Sequence, residues 1–223
     1  MPKQKLIVTS GPTREFFDPI RYLSNPSTGK MGYSIARAGV NEGYAVTYIC
    51  GPVHPPYNRV KGANNIDVIS TDDMLAGVLS QLRENCTLIM AAAPADYKPL
   101  KKSEVKIKKT ESPSLDLVPN PDILKTVGKH AKDKNIPVTL IGFAAETHSV
   151  EEYAKKKLKE KDLDMIFLND LSRSDSGFGV DTNHLTVFRR DGTREEWPLA
   201  GKERLGYMII HEIEKYRTSS AAK

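Results

Sequence analysis

The residues best suited to chemistry follow the short apolar runs of this chain. After the first run comes Ser10-Gly11-Pro12-Thr13, and further on Asn25-Pro26-Ser27-Thr28-Gly29-Lys30-Met31-Gly32, which opens directly into a helical pattern. Ser27, Thr28, Gly29 and Gly32 therefore offer hydroxyls, backbone N–H groups and the positive end of a helix, the ingredients of a phosphate-binding turn. The segment has neither a G-x-G-x-x-G fingerprint nor a P-loop with its Lys-Ser/Thr pair, which disfavours the usual dinucleotide and P-loop sites. The same residues would also serve as an N-cap with a close helix–sheet contact, and the residues alone leave both readings open. Lysines concentrate at Lys98, Lys101, Lys102, Lys106, Lys108 and Lys109, then at Lys155, Lys156, Lys157, Lys159 and Lys161. Two dense basic segments point to an anionic ligand. Lys157 and Lys161 are four apart in a predicted helix and so share a face, whereas Lys155, Lys156 and Lys159 belong to a solvated one. No aromatic-rich stacking motif accompanies these lysines, so a small polyanion is expected rather than nucleic acid.

These segments must be held by alternating strands and helices. The predicted strands are Leu6–Thr9, Ala45–Cys50, Ile66–Ser70, Thr87–Ala92, Val138–Phe143 and Met165–Leu168. Between them lie predicted helices over Met31–Asn41, over Asp72–Arg83 with Thr71 as N-cap, after Asn120-Pro121 with Asn120 as N-cap, and over Ser149–Lys161. A hairpin is expected at His184–Arg189 and Arg194–Pro198 around Asp191-Gly192, then a helix from about Lys202 to Tyr216. Short apolar strands alternating with helices predict an α/β fold, a doubly wound, mostly parallel, Rossmann-like sheet covered on both faces. Ligands of such sheets sit beyond the carboxyl ends of the strands, at the switch point. Ser10–Gly32, Ala91–Lys109 and Phe143–Thr147 each begin where a predicted strand ends, so they should converge. The segment from about 97 to 118 is too polar for a core and too long for a simple connection, which predicts a projecting flap. One domain is expected over 1–217, with 218–223 a disordered tail.

Composition narrows the class further. The 223 residues are 39% hydrophobic and 27% charged, with 33 Lys+Arg against 28 Asp+Glu for a formal charge of +5. That is an ordinary globular composition. No apolar stretch approaches the roughly 20 residues of a membrane span, and no leader segment is evident, so a cytoplasmic protein is expected. Cys50 and Cys86 are expected as buried thiols. His54, His130, His148, His184 and His211 are scattered without metal-ligand spacing.

The segment from Gly11 to Gly32 resembles the signature of bacterial phosphopantothenate-cysteine ligases (phosphopantothenoylcysteine synthetases), with Thr28 where the signature has Ser and Ile20 where it has Val. The resemblance continues in order through Ala92-Ala93-Pro94-Ala95-Asp96-Tyr97, Lys106-Ile107-Lys108-Lys109, Asn120-Pro121-Asp122-Ile123-Leu124, Gly142-Phe143-Ala144-Ala145-Glu146-Thr147, Asn169-Asp170 and Gly177-Phe178. It implies activation of the carboxylate of 4'-phosphopantothenate by CTP to an acyl-cytidylate with release of pyrophosphate. Amide formation with L-cysteine and release of CMP would follow. It assigns Asn25 to the acyl-phosphate, with an amide able to donate to an oxyanion and accept from the attacking amine. An Asx-turn before Pro26 is the structural alternative. The resemblance places Lys106 of the flap at the phosphates, Asp96 at the ribose or base, and Pro121, Asp122, Ile123 and Leu124 at the cytosine. Phe143 packs by the nucleotide, and Lys157 and Lys161 reach its phosphates or base. Mg²⁺ is expected mainly on the nucleotide phosphates, with Glu146 and Asp170 as possible helpers and no assigned protein ligand. A homodimer is implied, with no membrane or nucleic-acid partner. In many bacteria the module is fused behind a flavin-dependent decarboxylase, and 223 residues are expected to hold the ligase module alone. The rivals are an NAD(P)-dependent reductase, disfavoured by the missing glycine fingerprint, and a basic nucleotide- or RNA-binding module.

Overall fold

The computed structural model describes residues 3–109, 114–146, 150–170 and 179–221. Its elements run β1 (Lys3–Ser10), β2 (Arg14–Phe16), β3 (Tyr22–Ser24), α1 (Lys30–Asn41), β4 (Tyr44–Cys50), β5 (Asn64–Asp67), α2 (Thr71–Gln81) and β6 (Cys86–Met90). After these come β7 (Tyr97–Pro99), β8 (Leu117–Pro119), α3 (Ile123–Asp133), β9 (Val138–Glu146), α4 (Val150–Glu160) and β10 (Met165–Asp170). The chain closes with β11 (Thr182–Asn183), β12 (Leu185–Arg189), β13 (Arg194–Glu196), β14 (Ala200–Gly201) and α5 (Lys202–Ala221). Eight strands form one sheet in the order β13-β12-β10-β9-β6-β1-β4-β5. The six from β10 to β5 are parallel, and the predicted hairpin β12–β13 extends the sheet as an antiparallel edge. The chain winds outward from β1 to β4 and β5, then crosses back to β6, β9 and β10. The switch point therefore lies between β1 and β6.

The strands read as unbroken apolar runs because helices cover both of their faces. On β1, Leu6 and Val8 face one side with Ile35 and Ala38 of α1 and Leu205, Ile209 and Ile213 of α5. Ile7 faces the other, with Met74 and Val78 of α2, Leu124 and Val127 of α3 and Ala154 of α4. Each fully buried Leu or Ile contributes about 1.5–3 kcal/mol. Cys50 and Cys86 are buried free thiols, as expected.

Several boundaries differ from the sequence reading. The N-cap of α2 is Ser70, not Thr71: Ser70 Oγ accepts from the Asp73 amide and Asp73 Oδ2 accepts from the Ser70 amide, a reciprocal capping box. Thr71 points inward to Glu15 instead. The N-cap of α3 is Asp122, whose Oδ1 accepts from the Lys125 amide at 3.1 Å, and Asn120 and Pro121 precede the helix. α5 continues through Ala221, so residues 218–221 are helical and not a tail. In the flap region the strand pairing lies at the base, β7 with β8, and Val105–Lys108 is irregular. That irregular stretch is anchored by the buried Asp18, whose Oδ2 accepts from the Ile107 amide at 3.2 Å, while Arg21 donates to the Ile107 carbonyl at 3.1 Å. Burial alone would raise the Asp18 carboxyl pKa. The amides of Ile20, Ile107 and Arg21, with the Arg21 guanidinium, outweigh that and leave it below its ordinary value. Thr147, Ser149, Gly177 and Phe178 lie outside the described residues, as do the side chains of Glu146 and Asp170.

Candidate active site

A cavity of about 580 Å³ opens at the carboxyl ends of β1, β6, β9 and β10. The segments expected to converge do so here. An isolated bridge joins Pro12 to Ala93, and the Ala93 amide donates to the Gly11 carbonyl at 2.9 Å, so the loops after β1 and β6 are laced across the switch point. On one side the chain turns into α1 through Gly29, which caps the helix with φ 75°, a left-handed conformation that L side chains resist. Ser10 Oγ holds this turn by donating to the Gly29 carbonyl at 2.8 Å. Three residues on, a Cβ at Gly32 would stand 2.5 Å from Ser10 Oγ and 2.9 Å from the Thr9 carbonyl, so glycine alone lets α1 lie this close to β1. The start of α1 has no side-chain cap and no acid in its first turn, and it faces the cavity.

The structure orients the Asn25 amide. Its Nδ2 donates to the Pro94 carbonyl at 3.0 Å and to the Ala93 carbonyl at 3.2 Å. Only the NH₂ end can face two carbonyls, which settles the O/N assignment. The NH₂ end is thus turned to these two carbonyls, which leaves Oδ1 as the atom of this amide available to accept a hydrogen bond. The loop it grips is set in turn by Thr13, whose hydroxyl accepts from the Ala95 amide at 2.9 Å.

The opposite wall carries Asp96, Asn120, Pro121, Asp122, Ile123, Leu124, Phe143, Lys157 and Lys161. Asn120 ties two loops together, its backbone donating to the Asp96 carbonyl and its Nδ2 to the Ala95 carbonyl at 2.9 Å. Its Oδ1 is buried without a hydrogen-bond partner. Asp122 does double duty, capping α3 with Oδ1 and meeting Lys161 Nζ with Oδ2 at 2.8 Å. Phe143 lies against Phe167 with ring centroids 5.3 Å apart, half core residue and half cavity wall. Apart from Glu146 and Asp170, whose side chains are not described, the cavity lining includes every residue given a site role above except Lys106, which is exposed on the flap.

Five polar lining residues were absent from the sequence reading as site residues: Lys30, Asn120, Asn169, Asn183 and Lys202. Lys30 pairs with Asp181 and lies 5.7 Å from the Tyr57 ring. Lys202 opens α5 and is only 4% exposed. Burial, reinforced by the Lys30 charge and opposed by Asp181, holds its pKa down to about 8. The adjacency of Lys30 to the Gly29 turn was a sequence signal for the first lysine. Asn120 and Asn169 stood within the resembling motifs, whereas Asn183 and Lys202 had no signal, because their place in the cavity wall is a tertiary property.

Residues 1–216 match the family described as DNA/pantothenate metabolism flavoprotein C-terminal domain. The Coenzyme A biosynthesis bifunctional protein CoaBC of Vibrio cholerae serotype O1 is 42% identical over 213 residues, covering 94% of this chain and 52% of that protein. The protein of the same name from Bacillus subtilis (strain 168) is 42% identical over 210 residues, 93% of this chain and 50% of its own length. The chain therefore spans about half the length of the curated relatives it matches. The crystal structure of the C-terminal domain of CoaBC matches with a TM-score of 0.79 at 36% identity, covering 98% of each chain. A Cab2 mutant in complex with phosphopantothenate-cysteine shares the fold, with a TM-score of 0.73 at 17% identity. With its switch-point cavity, its order of motifs and its match from end to end, the chain belongs to the DNA/pantothenate metabolism flavoprotein C-terminal domain family.

Proposed function

We propose that the chain is a phosphopantothenate-cysteine ligase that uses CTP. A carboxylate oxygen of 4'-phosphopantothenate attacks the α-phosphorus, and the bond to the bridging oxygen breaks with its electron pair leaving on pyrophosphate. The amine of L-cysteine then attacks the acyl carbon, CMP departs, and the nitrogen loses a proton to become the amide. A carboxylate has no good leaving group of its own, and the nucleotide supplies one. Positioning and charge stabilisation carry most of such a reaction.

The observation that carries the reading is the pinned Asn25 amide beside the uncapped start of α1. Its Oδ1 suits an incoming amine, which needs an acceptor as it attacks. The α1 start suits phosphates. Across the cavity, the backbone at Pro121–Leu124 suits a pyrimidine edge, Phe143 its face, Asp96 the ribose, and Lys157 and Lys161 further phosphate charge.

Among the described residues no three His, Cys, Asp or Glu side chains come together to hold a metal ion. A Mg²⁺ that arrives on the triphosphate oxygens, where it supplies charge neutralisation, needs no such cluster. Ile20, Tyr22, Tyr97, Leu100, Val105 and Leu117 are all exposed on the β2–β3 and β7–β8 hairpins and the flap, and β2 packs against β7. These exposed apolar side chains on neighbouring hairpins support a homodimer through this face, which would set the position of Lys106.

The test mixes the protein with 4'-phosphopantothenate, Mg²⁺ and CTP or ATP, follows pyrophosphate, and then adds cysteine. CTP-dependent pyrophosphate followed by amide product is expected. The absence of nucleotide-dependent pyrophosphate, or salt-sensitive RNA binding in its place, would sink the assignment. Light scattering tests the dimer, with a monomer expected for Tyr97→Glu.

A further inference from the structure

The loop that follows β6 is gripped by two asparagines, one from each wall of the cavity. Asn25 Nδ2 donates to the carbonyls of Ala93 at 3.2 Å and Pro94 at 3.0 Å. Asn120 Nδ2 donates to the next carbonyl, Ala95, at 2.9 Å, and its backbone amide to the one after, Asp96, at 2.8 Å. The amides of Ala92, Ala93 and Ala95 are engaged as well, with Thr9 Oγ1, the Gly11 carbonyl and Thr13 Oγ1. Asn25 and Asn120 are remote in sequence, yet their side chains hold neighbouring peptide units. Only the two soft dihedrals of Ala95 separate the Pro94 carbonyl from the Ala95 carbonyl, because each peptide plane is rigid. Asn120 therefore fixes the far end of the strut on which the Asn25 amide hangs.

The two bonds of Asn120 have different reach. Its backbone amide holds Asp96, on the nucleotide side, whatever the side chain; the side chain alone holds Ala95, on the Asn25 side. Its Oδ1 is buried and has no hydrogen-bond partner among the described residues. A buried amide with an unused acceptor is a costly way to brace a loop, and such local costs concentrate where function needs them. We propose that Asn120 is a positioning residue for cysteine transfer: through the Ala95 carbonyl it keeps the Pro94 and Ala93 carbonyls where they aim Asn25 Oδ1 at the incoming amine. The inference rests on the ligase reading and deepens it. Asn120 acts through Asn25, and the nucleotide side of the loop keeps its backbone bond when the side chain is removed.

The experiment measures the two steps separately in the purified protein. Pyrophosphate is followed from CTP and 4'-phosphopantothenate, and transfer of the accumulated acyl-cytidylate to cysteine is then followed in a single turnover by mass spectrometry. Asn120→Ala is expected to slow transfer about 10- to 100-fold, as a small misplacement of a reacting group does, and pyrophosphate formation by less than about threefold. In an Asn25→Ala background the same substitution should change transfer by less than about twofold, because the group through which Asn120 acts is gone. A merely structural loss would slow both steps and add to Asn25→Ala. Asn120→Asp keeps the shape and replaces the donor by a carboxylate oxygen facing the Ala95 carbonyl. Protonation restores a donor there, so transfer by this variant, relative to wild type, should rise as pH is lowered from about 8 to about 5. The charged groups that share its wall, Asp96, Asp122 and Lys161, are common to both proteins, and the ratio removes their titration. Wild-type transfer by Asn120→Ala, equal slowing of both steps, or additivity with Asn25→Ala overturns the proposal. Should Asn120→Ala not fold, a flat pH ratio for Asn120→Asp overturns it. If the wild type forms no pyrophosphate from CTP and 4'-phosphopantothenate, the ligase reading fails and takes this one with it; normal wild-type turnover with unaffected Asn120 variants removes the positioning role alone.

Discussion

Replacing Thr13 by Val tests how the cavity wall is held. Thr13, Thr71 and Glu15 are buried, and their hydrogen bonds form a chain of defined direction. Thr71 gives its hydroxyl proton to Glu15 Oε1 at 2.7 Å, and its backbone amide donates to the same oxygen at 2.8 Å. Having spent its proton, the Thr71 hydroxyl can only accept, so the 2.9 Å contact between the two hydroxyls must be donated by Thr13. The Thr13 oxygen then accepts from the buried Ala95 amide. Valine keeps the shape and breaks two links. The orphaned Ala95 amide costs about 1–3 kcal/mol, and loss of the hydroxyl–hydroxyl bond about 0.5–1.5 kcal/mol. The sum, about 1.5–4.5 kcal/mol, corresponds in a chain of this size to a drop in Tm of about 3–18 °C. Urea unfolding gives the free energy and differential scanning calorimetry the Tm. Thr71→Val severs the same chain, so the double variant should lose less than the sum of the singles. A loss below about 0.5 kcal/mol for Thr13→Val, or strict additivity, would refute the directional chain. Because Ala95 adjoins the Ala93 and Pro94 carbonyls that grip Asn25, a folded Thr13→Val protein should also transfer cysteine more slowly.

Gly32→Ala should destabilise by about 1–3 kcal/mol and depress pyrophosphate release, since its Cβ meets Ser10 and the β1 backbone, neither of which can retreat; a wild-type melting curve would contradict that close approach. Asn25→Ala should still form acyl-cytidylate but transfer it poorly to cysteine, seen as accumulated intermediate by mass spectrometry. Normal overall turnover would remove Asn25 Oδ1 from the second step. The depressed Asp18 carboxyl contributes stability that is present above its ordinary value of 3.8 and lost as pH falls through its lower folded value. Urea midpoints measured from pH 5 downward should therefore fall more steeply for wild type than for Asp18→Asn, and parallel curves would show that the anchor of the flap does not depend on this charge.

Most of the architecture was legible because its signals are local. Unbroken apolar runs such as Leu6–Thr9 and Leu88–Met90 suit strands buried on both faces, and helical spacing between them forces a parallel, doubly wound sheet. The errors fell where two neighbouring residues can each cap a helix. Ser70 and Thr71, or Asn120 and Asp122, are nearly equivalent as isolated capping groups. The choice is made by what lies opposite: Glu15 draws Thr71 inward, and the Ala95 carbonyl claims Asn120. Lys157 and Lys161 could be placed on one helix face from their spacing, whereas Asn25 and Phe143 were named by the resemblance.

By itself the sequence determined the fold class and the converging loops, because these follow from periodicity and from groups adjacent along the chain, and its resemblance to a family pointed to most of the cavity's residues. Only the tertiary structure decided that the Asn25 NH₂ group faces two carbonyls, that Lys106 is not among the residues lining the cavity, and that Lys202 is buried. Hydrogen-bond commitment and desolvation depend on which distant segments close over a group, here Ala93 with Pro94 over Asn25 and α1 with the 181–183 segment around Lys202. A lysine followed by Glu203 and Arg204 in sequence looks solvated until the fold removes its water, and that removal brings its pKa down toward neutrality.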